Sequence, residues 1–329
     1  MTAFQKKAFK SQELYQKLEA RGLTIPQADR GTVFDAIERI GYYRLTGYCI
    51  PFIQETAFGT KVFVPGTTIR PILALYEFDT NLRNTCLQAL EKIEIAVAAS
   101  ICDYLCIAYD PWWYATPAVY ADASMHGKAL AKAAKHVGVR IDTQPPWRKP
   151  SNPNIFLQAY YEKYPTPVLP PAWMLRECAS FGFWSHIFES LNFPDKVEIA
   201  KKWQYPNKKH LQPVVFEGWL HSLSVFRNHC SHHTRITNKK LTFPPKKPDN
   251  VPAATRLGGA NETLRAFLVV TDIFLRKAAP SFDWKKRLHA DFETAESNNV
   301  AISKATGFSQ PWRDDSFWSD WVPSPVPTK

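Results

Sequence analysis

A chain of 329 residues can form one large domain or two modest ones, and its 45% hydrophobic and 22% charged content excludes both a disordered polymer and a fibrous repeat. The net charge of +11 favours a polyanionic partner such as RNA, DNA or an anionic membrane surface, although a soluble basic protein would carry the same excess. No apolar run approaches the roughly 18 residues of a membrane span, and no apolar block follows MTAFQKKAFK, so neither a span nor a secretory signal is expected. Six scattered cysteines (Cys49, Cys86, Cys102, Cys106, Cys178 and Cys230) form no Cys-x-x-Cys pair, which suits a reduced cytoplasm.

In chain order, residues 11–40 predict two short helices, the first with Leu14, Leu18 and Leu23, the second with Val33, Phe34, Ile37 and Ile40. Gly41-Tyr42-Tyr43-Arg44-Leu45-Thr46-Gly47-Tyr48 then reads as a turn. Its rings either pack on the core or form an aromatic and cationic platform for unpaired bases through Tyr42, Tyr43, Arg44 and Tyr48. Alternation across residues 52–69, around Gly59 and Pro65-Gly66, predicts a short hairpin or extended loop. From Ile72 to about Tyr109 runs the longest helical pattern, with Leu75, Leu82, Cys86, Leu90, Ile93, Val97, Ile101 and Leu105 on one side.

Pro111 ends that helix. A connecting region follows, with an alanine-rich helix near 124–137 whose Lys128, Lys132, Lys135 and His136 face either phosphates or solvent. A proline-dense insertion at about 138–171 includes TQPPWRKPSNPN and YPTPVLPP. Ala172 to Leu191 predicts a helix pair broken at Gly182, and a further helix is expected over 194–205. A basic loop at Pro244–Pro248, an apolar helix around Leu264–Leu275 and an irregular Trp/Pro-rich tail from about residue 296 complete the chain. The expected division is therefore 1–70, 71–295 and 296–329.

The stretch FEGWLHSLSVFRNHCSHHTRITN, Phe216 to Asn238, carries the clearest chemical signal. Phe216, Trp219, Leu220, Leu223 and Phe226 define a buried stripe, and Arg227 continues it, where a charge must be paired or functional. A run of hydrogen-bonding residues follows: Asn228, His229, Cys230, Ser231, His232 and His233. An arginine, a polar residue, three more residues and a histidine is the pattern of the HEPN ribonuclease superfamily, and the surrounding sequence resembles the Abi-like abortive-infection proteins of bacteria. Four patches carry the resemblance, near residues 41–48, 75–94, 173–182 and 219–238, the last but one including Glu177 and Ser180-Phe181-Gly182. One departure is visible: where the family leads us to expect a basic residue one turn after Glu94, this chain has Ala98, so Glu94 reads as a solvated or ion-paired helix residue.

The resemblance implies an all-α fold, a HEPN-like helical bundle preceded by a smaller helix-rich N-terminal region. It also implies a cytoplasmic, metal-independent endoribonuclease of an anti-phage or toxin-antitoxin system. RNA supplies its own 2′-hydroxyl nucleophile, so the protein must move protons and stabilise charge on the phosphate. Arg227 would hold the scissile phosphate through its planar fork, His232 or His233 would transfer protons, and Asn228 would orient the reacting groups. Arg235, Lys239 and Lys240, with the tyrosine-rich octapeptide, would add to RNA binding. Arg83-Asn84 echoes Arg227-Asn228 but is followed by no histidine, so a second motif would have to come from another chain in a homodimer. No cofactor or metal is called for; the family suggests an inhibitory structured RNA or an antitoxin as partner.

Three alternatives stay open. The protein could bind RNA without cutting it; Arg227 could simply cap buried carbonyls; or His229, Cys230, His232 and His233 could be metal ligands.

Overall fold

The computed structural model describes residues 7–140, 150–164, 168–248 and 256–321. Much of TQPPWRKPSNPN, the centre of YPTPVLPP and the closing prolines of the chain lie outside those residues.

One helix organises the fold. α4 runs unbroken over Ile69–Ala108, 40 residues or roughly 60 Å at the usual rise per residue. The whole stripe named from its periodicity, Leu75 through Leu105, is buried. Against it pack α3 (Tyr42–Cys49), α8 (Phe181–Ser190), α10 (Pro213–Ser231), α11 (Leu264–Ala278) and α12 (Trp284–Ser297). α10 presents Phe216, Trp219, Leu220, Leu223 and Phe226 to this core, all fully buried, and Phe216 stacks on Phe274 of α11 with centroids 5.5 Å apart. Every residue of α11 from Leu264 to Leu275 is buried, as expected of a helix enclosed on all sides. The fold is all-α, with one two-stranded antiparallel hairpin, β1 (Ile53–Glu55) on β2 (Lys61–Phe63), among the described residues.

The remaining helices are α1 (Ser11–Ala20), α2 (Arg30–Ala36), α5 (Ala123–Val137), α6 (Ile155–Lys163), α7 (Ala172–Leu175), α9 (Phe193–Ala200) and α13 (Ile302–Thr306). Three sequence expectations need correction. The octapeptide 41–48 is a helix rather than a turn: Gly41, at φ 86°, breaks the chain after α2 and its π-helical extension, and α3 begins at the next residue. The break in the 172–191 pair precedes Gly182, because the Ser180 hydroxyl caps α8 at the amide of Phe183. The helix expected over 194–205 stops at Ala200.

The tail, read from the sequence only as irregular, packs on the core among the described residues. Phe308, Trp312, Phe317 and Trp318 are buried around Phe292 of α12, and Arg265 of α11 makes a bidentate ion pair with Asp315.

Candidate active site

Arg227 sits on the last turns of α10, where the buried stripe would otherwise continue. Its Nε lies 3.2 Å from Oε2 of Glu94 on α4. That N–H has no acceptor in line with it, so the contact is an ion pair rather than a linear hydrogen bond. The arginine side chain is 32% exposed and the glutamate 16%, and both line an open cleft of about 490 Å³. Burial pushes the Glu94 carboxyl above its ordinary value, while Arg227 and the backbone amide of Phe181, at the start of α8, pull the other way.

Arg176 also reaches the cleft, from the turn after α7, with Nη1 3.1 Å from Oδ1 of Asp103. Ala98 lies in the cleft wall and brings no charge to it, whereas Glu91 and Glu177 also line the cleft.

The polar run behind Arg227 does not join it in this cleft. Asn228 is exposed, α10 ends at Ser231, and His232 is the exposed cap residue, its amide donating to the Asn228 carbonyl at 3.0 Å. Five residues of helix turn by roughly 140° and rise by about 7.5 Å, which directs Arg227 and His232 to different sides. Among the described residues nothing bonds one to the other. His233 is exposed too, with a left-handed backbone at φ 56°. His229 is half-buried, with Nε2 3.3 Å from Thr242 Oγ1, and its ring pKa is lowered by burial and by Lys239. No group of three or more His, Cys, Asp or Glu side chains is placed to hold a metal among the described residues, so the four-ligand alternative has no convergent geometry.

A buried hub anchors the chain just beyond the histidines. Asp79 of α4 is fully buried. Its Oδ1 accepts from the amides of Ile236 (2.9 Å) and Thr237 (2.8 Å) and from the Thr237 hydroxyl (2.8 Å). Its Oδ2 accepts from the Tyr48 hydroxyl (2.9 Å) and from Arg83 Nη1 (2.5 Å). Around the hub, α3 and the segment after α10 exchange arginines: Arg44 Nη1 donates to the His233 carbonyl at 2.6 Å, and Arg235 Nη1 donates to the Gly47 carbonyl.

The residues of the octapeptide differ in burial. Tyr48 is buried in the hub and cannot stack on a base; Tyr42 is half-buried; Tyr43 is 93% exposed, and Arg44 is exposed beside His233. Arg235 is half-buried under its bond to Gly47, Lys239 is half-buried with a pKa lowered by burial and by Arg235, and Lys240 pairs with Glu262 at 2.8 Å.

The four patches singled out in the sequence therefore meet at two points. Residues 41–48, 79–83 and 235–237 form the hub, while Glu94, Phe181 and Arg227 meet at the cleft. A family model described as Abi-like protein matches residues 35–238, which takes in every residue of both. The chain belongs to the Abi-like protein family. No curated protein and no solved structure matches it. The match stops before α11 and α12, so the two helices that complete the packing around α4 and the aromatic tail beyond them lie outside the part of this Abi-like chain that the family model describes. Sequence reading gave no role to Asp79, Thr237 or Arg176, and took Arg83 only as an echo of Arg227. An Asp four residues before an Arg on an apolar stripe, as at Asp79 and Arg83, was the one available sign of a buried pair.

Proposed function

We propose that this Abi-like protein is an endoribonuclease of bacterial abortive-infection or toxin-antitoxin defence, cutting RNA by attack of its own 2′-hydroxyl. The observation that carries the reading is the placement of Arg227: a guanidinium on the core-facing stripe of α10, opened to solvent by a cleft and held from one side by Glu94. A structural arginine capping carbonyls would not need the cleft. A phosphate entering there would meet a planar cation with free hydrogen-bonding capacity, which suits a developing dianionic phosphorane. His232, exposed at the helix end, would transfer protons, with His233 next to it as the other candidate and Asn228 orienting the reacting groups.

One chain points Arg227 and His232 apart, so the complete site is assigned to a homodimer in which the arginine of one copy meets the histidine of the other. Tyr43, Arg44, Lys239 and Lys240 would extend the RNA surface. An inhibitory structured RNA or antitoxin would hold the activity in check.

The test is RNA-end sequencing after brief expression, beside Arg227→Ala and His232→Ala. Cuts leaving 2′,3′-cyclic phosphate in the parent only, from variants that still fold, are expected. Equal cutting by all three would sink the proposal. One observation favours a second reading: Glu94 already neutralises Arg227 within the chain, as would suit a module that binds RNA without cutting it. That reading predicts tight RNA binding and intact transcripts.

A further inference from the structure

We infer that Asp79, Thr237 and Arg44 are positioning residues for His232, acting through the backbone of the segment 232–237; the inference rests on the proposed nuclease reading. The exposed imidazole of His232 belongs to the cap residue of α10 and has no side-chain partner among the described residues, so its location is that of its backbone. That backbone leaves the helix through an unfavourable left-handed residue, His233, which costs free energy unless neighbouring bonds hold it.

Three bonds do so from outside the helix. Arg44 takes the His233 carbonyl, and Asp79 takes the amides of both Ile236 and Thr237. The Thr237 hydroxyl adds a fourth bond to the same carboxylate oxygen. Tyr48 and Arg83 fix that carboxylate in turn, so its two oxygens are shared by five donors on α3, α4 and the segment itself.

The consequence is that the catalytic turn is held at both ends: the amides of His232, His233 and Thr234 tie its start to carbonyls of α10, which carries Arg227, and α3 and α4 fix its far end. Arginine is then set by α10, and histidine by α10 together with the hub. A composite site needs this if each must meet a different chain, because positional error of about 1 Å costs roughly 10²-fold in rate.

Thr237→Val tests this with little change in shape, removing one hydroxyl bond to Asp79; Thr237→Ser keeps that bond and serves as the rescue. Amide hydrogen exchange over 232–237 and cleavage kinetics are measured on the full chain, beside wild type and His232→Ala. Thr237→Val should speed exchange in the segment by about tenfold and lower kcat by about tenfold with KM within about twofold, while Thr237→Ser stays near wild type on both. Faster exchange with unchanged kcat would overturn the inference, as would a loss confined to KM, or a fall in kcat without faster exchange. If Thr237→Val folds poorly, Tyr48→Phe offers the same comparison by removing another hydroxyl bond to Asp79, again with kcat rather than KM expected to fall. Should wild type cut no RNA, or His232→Ala cut as well as wild type, the nuclease reading is what fails; unchanged exchange in Thr237→Val would separately show that the hub does not hold the segment.

Discussion

Arg227 on α10 and Glu94 on α4 face each other at 3.2 Å across the mouth of an open cleft, and the pairing makes Glu94 a direct competitor of any phosphate that enters. Glu94→Gln removes the competing charge while keeping the shape. Folding stability should drop by no more than about 1 kcal/mol, as for a partly exposed pair. RNA affinity at low salt should rise several-fold, by about 1 kcal/mol, as one counter-charge is withdrawn. Filter binding over a salt series reads both affinity and slope; weaker binding by the variant would mean that Glu94 holds Arg227 in its working position.

On the proposed nuclease reading, position 227 requires an arginine in particular. Arg227→Lys keeps a positive charge at the cleft but loses the planar fork, so cleavage should fall by about 10²-fold or more, close to the loss in Arg227→Ala. Single-turnover kinetics on a short RNA would show it. A lysine variant retaining most activity would indicate that the residue supplies charge alone.

The proposed composite assembly has a complementation signature. Arg227→Ala and His232→Ala chains are each expected to be inactive alone. After mixing and subunit exchange, roughly half of the dimers would be mixed, and each mixed dimer would hold one intact arginine facing one intact histidine across the dyad. Activity should therefore reappear on mixing. Its failure to do so, with exchange verified by light scattering or mass spectrometry, would place both groups in a single chain.

At the hub, the stakes are mainly energetic. Asp79→Ala leaves the Arg83 guanidinium, only 5% exposed, without its carboxylate, and also orphans the amides of Ile236 and Thr237. Loss of one partner of a buried pair costs about 3–5 kcal/mol, whereas replacing both members by apolar residues can be nearly neutral. Denaturant unfolding of Asp79→Ala beside Asp79→Leu/Arg83→Met should show the double variant recovering part of the loss.

Local periodicity made much of this architecture legible. The stripes of α4 and α10 could be read because burial on one side imposes a three-and-four spacing, and the structure buries every apolar residue named on them. α12 escaped because WKKRLHADFETAES is mostly polar, its few buried positions being insufficient to mark a face by eye. α3 escaped because two glycines and three tyrosines mimic a turn; Gly41 does break the chain, whereas Gly47 lies inside the helix. The charge on Arg227 was visible, but its partner was not, since a pairing between distant helices leaves no local signature. The tail looked irregular for a related reason: its tryptophans pack on Phe292 and His289 of α12, contacts that leave no local periodicity.

That C-terminal packing should respond to acid. Burial alone would raise the Asp315 carboxyl, but the Arg265 guanidinium and the amides of Phe317 and Ser309 outweigh it and hold the group below its ordinary 3.8. Asp320 is likewise lowered: burial is overcome by Lys285, Arg276 and Arg256. Because both folded values lie below the unfolded ones, the unfolded chain takes up protons first as the pH falls. Their stabilisation is thus complete above the ordinary aspartate range and fades as pH drops from 3.8 towards the folded values. Urea midpoints should fall over that interval, and the slope should flatten in Asp315→Asn, which itself should lose about 3 kcal/mol at neutral pH because Arg265 is left buried without its counter-charge. Tryptophan fluorescence follows the same event directly, since Trp312 and Trp318 lie in the cluster that Asp315 pins to α11. Midpoints that rise on acidification would show that other carboxyls, raised by burial, dominate instead.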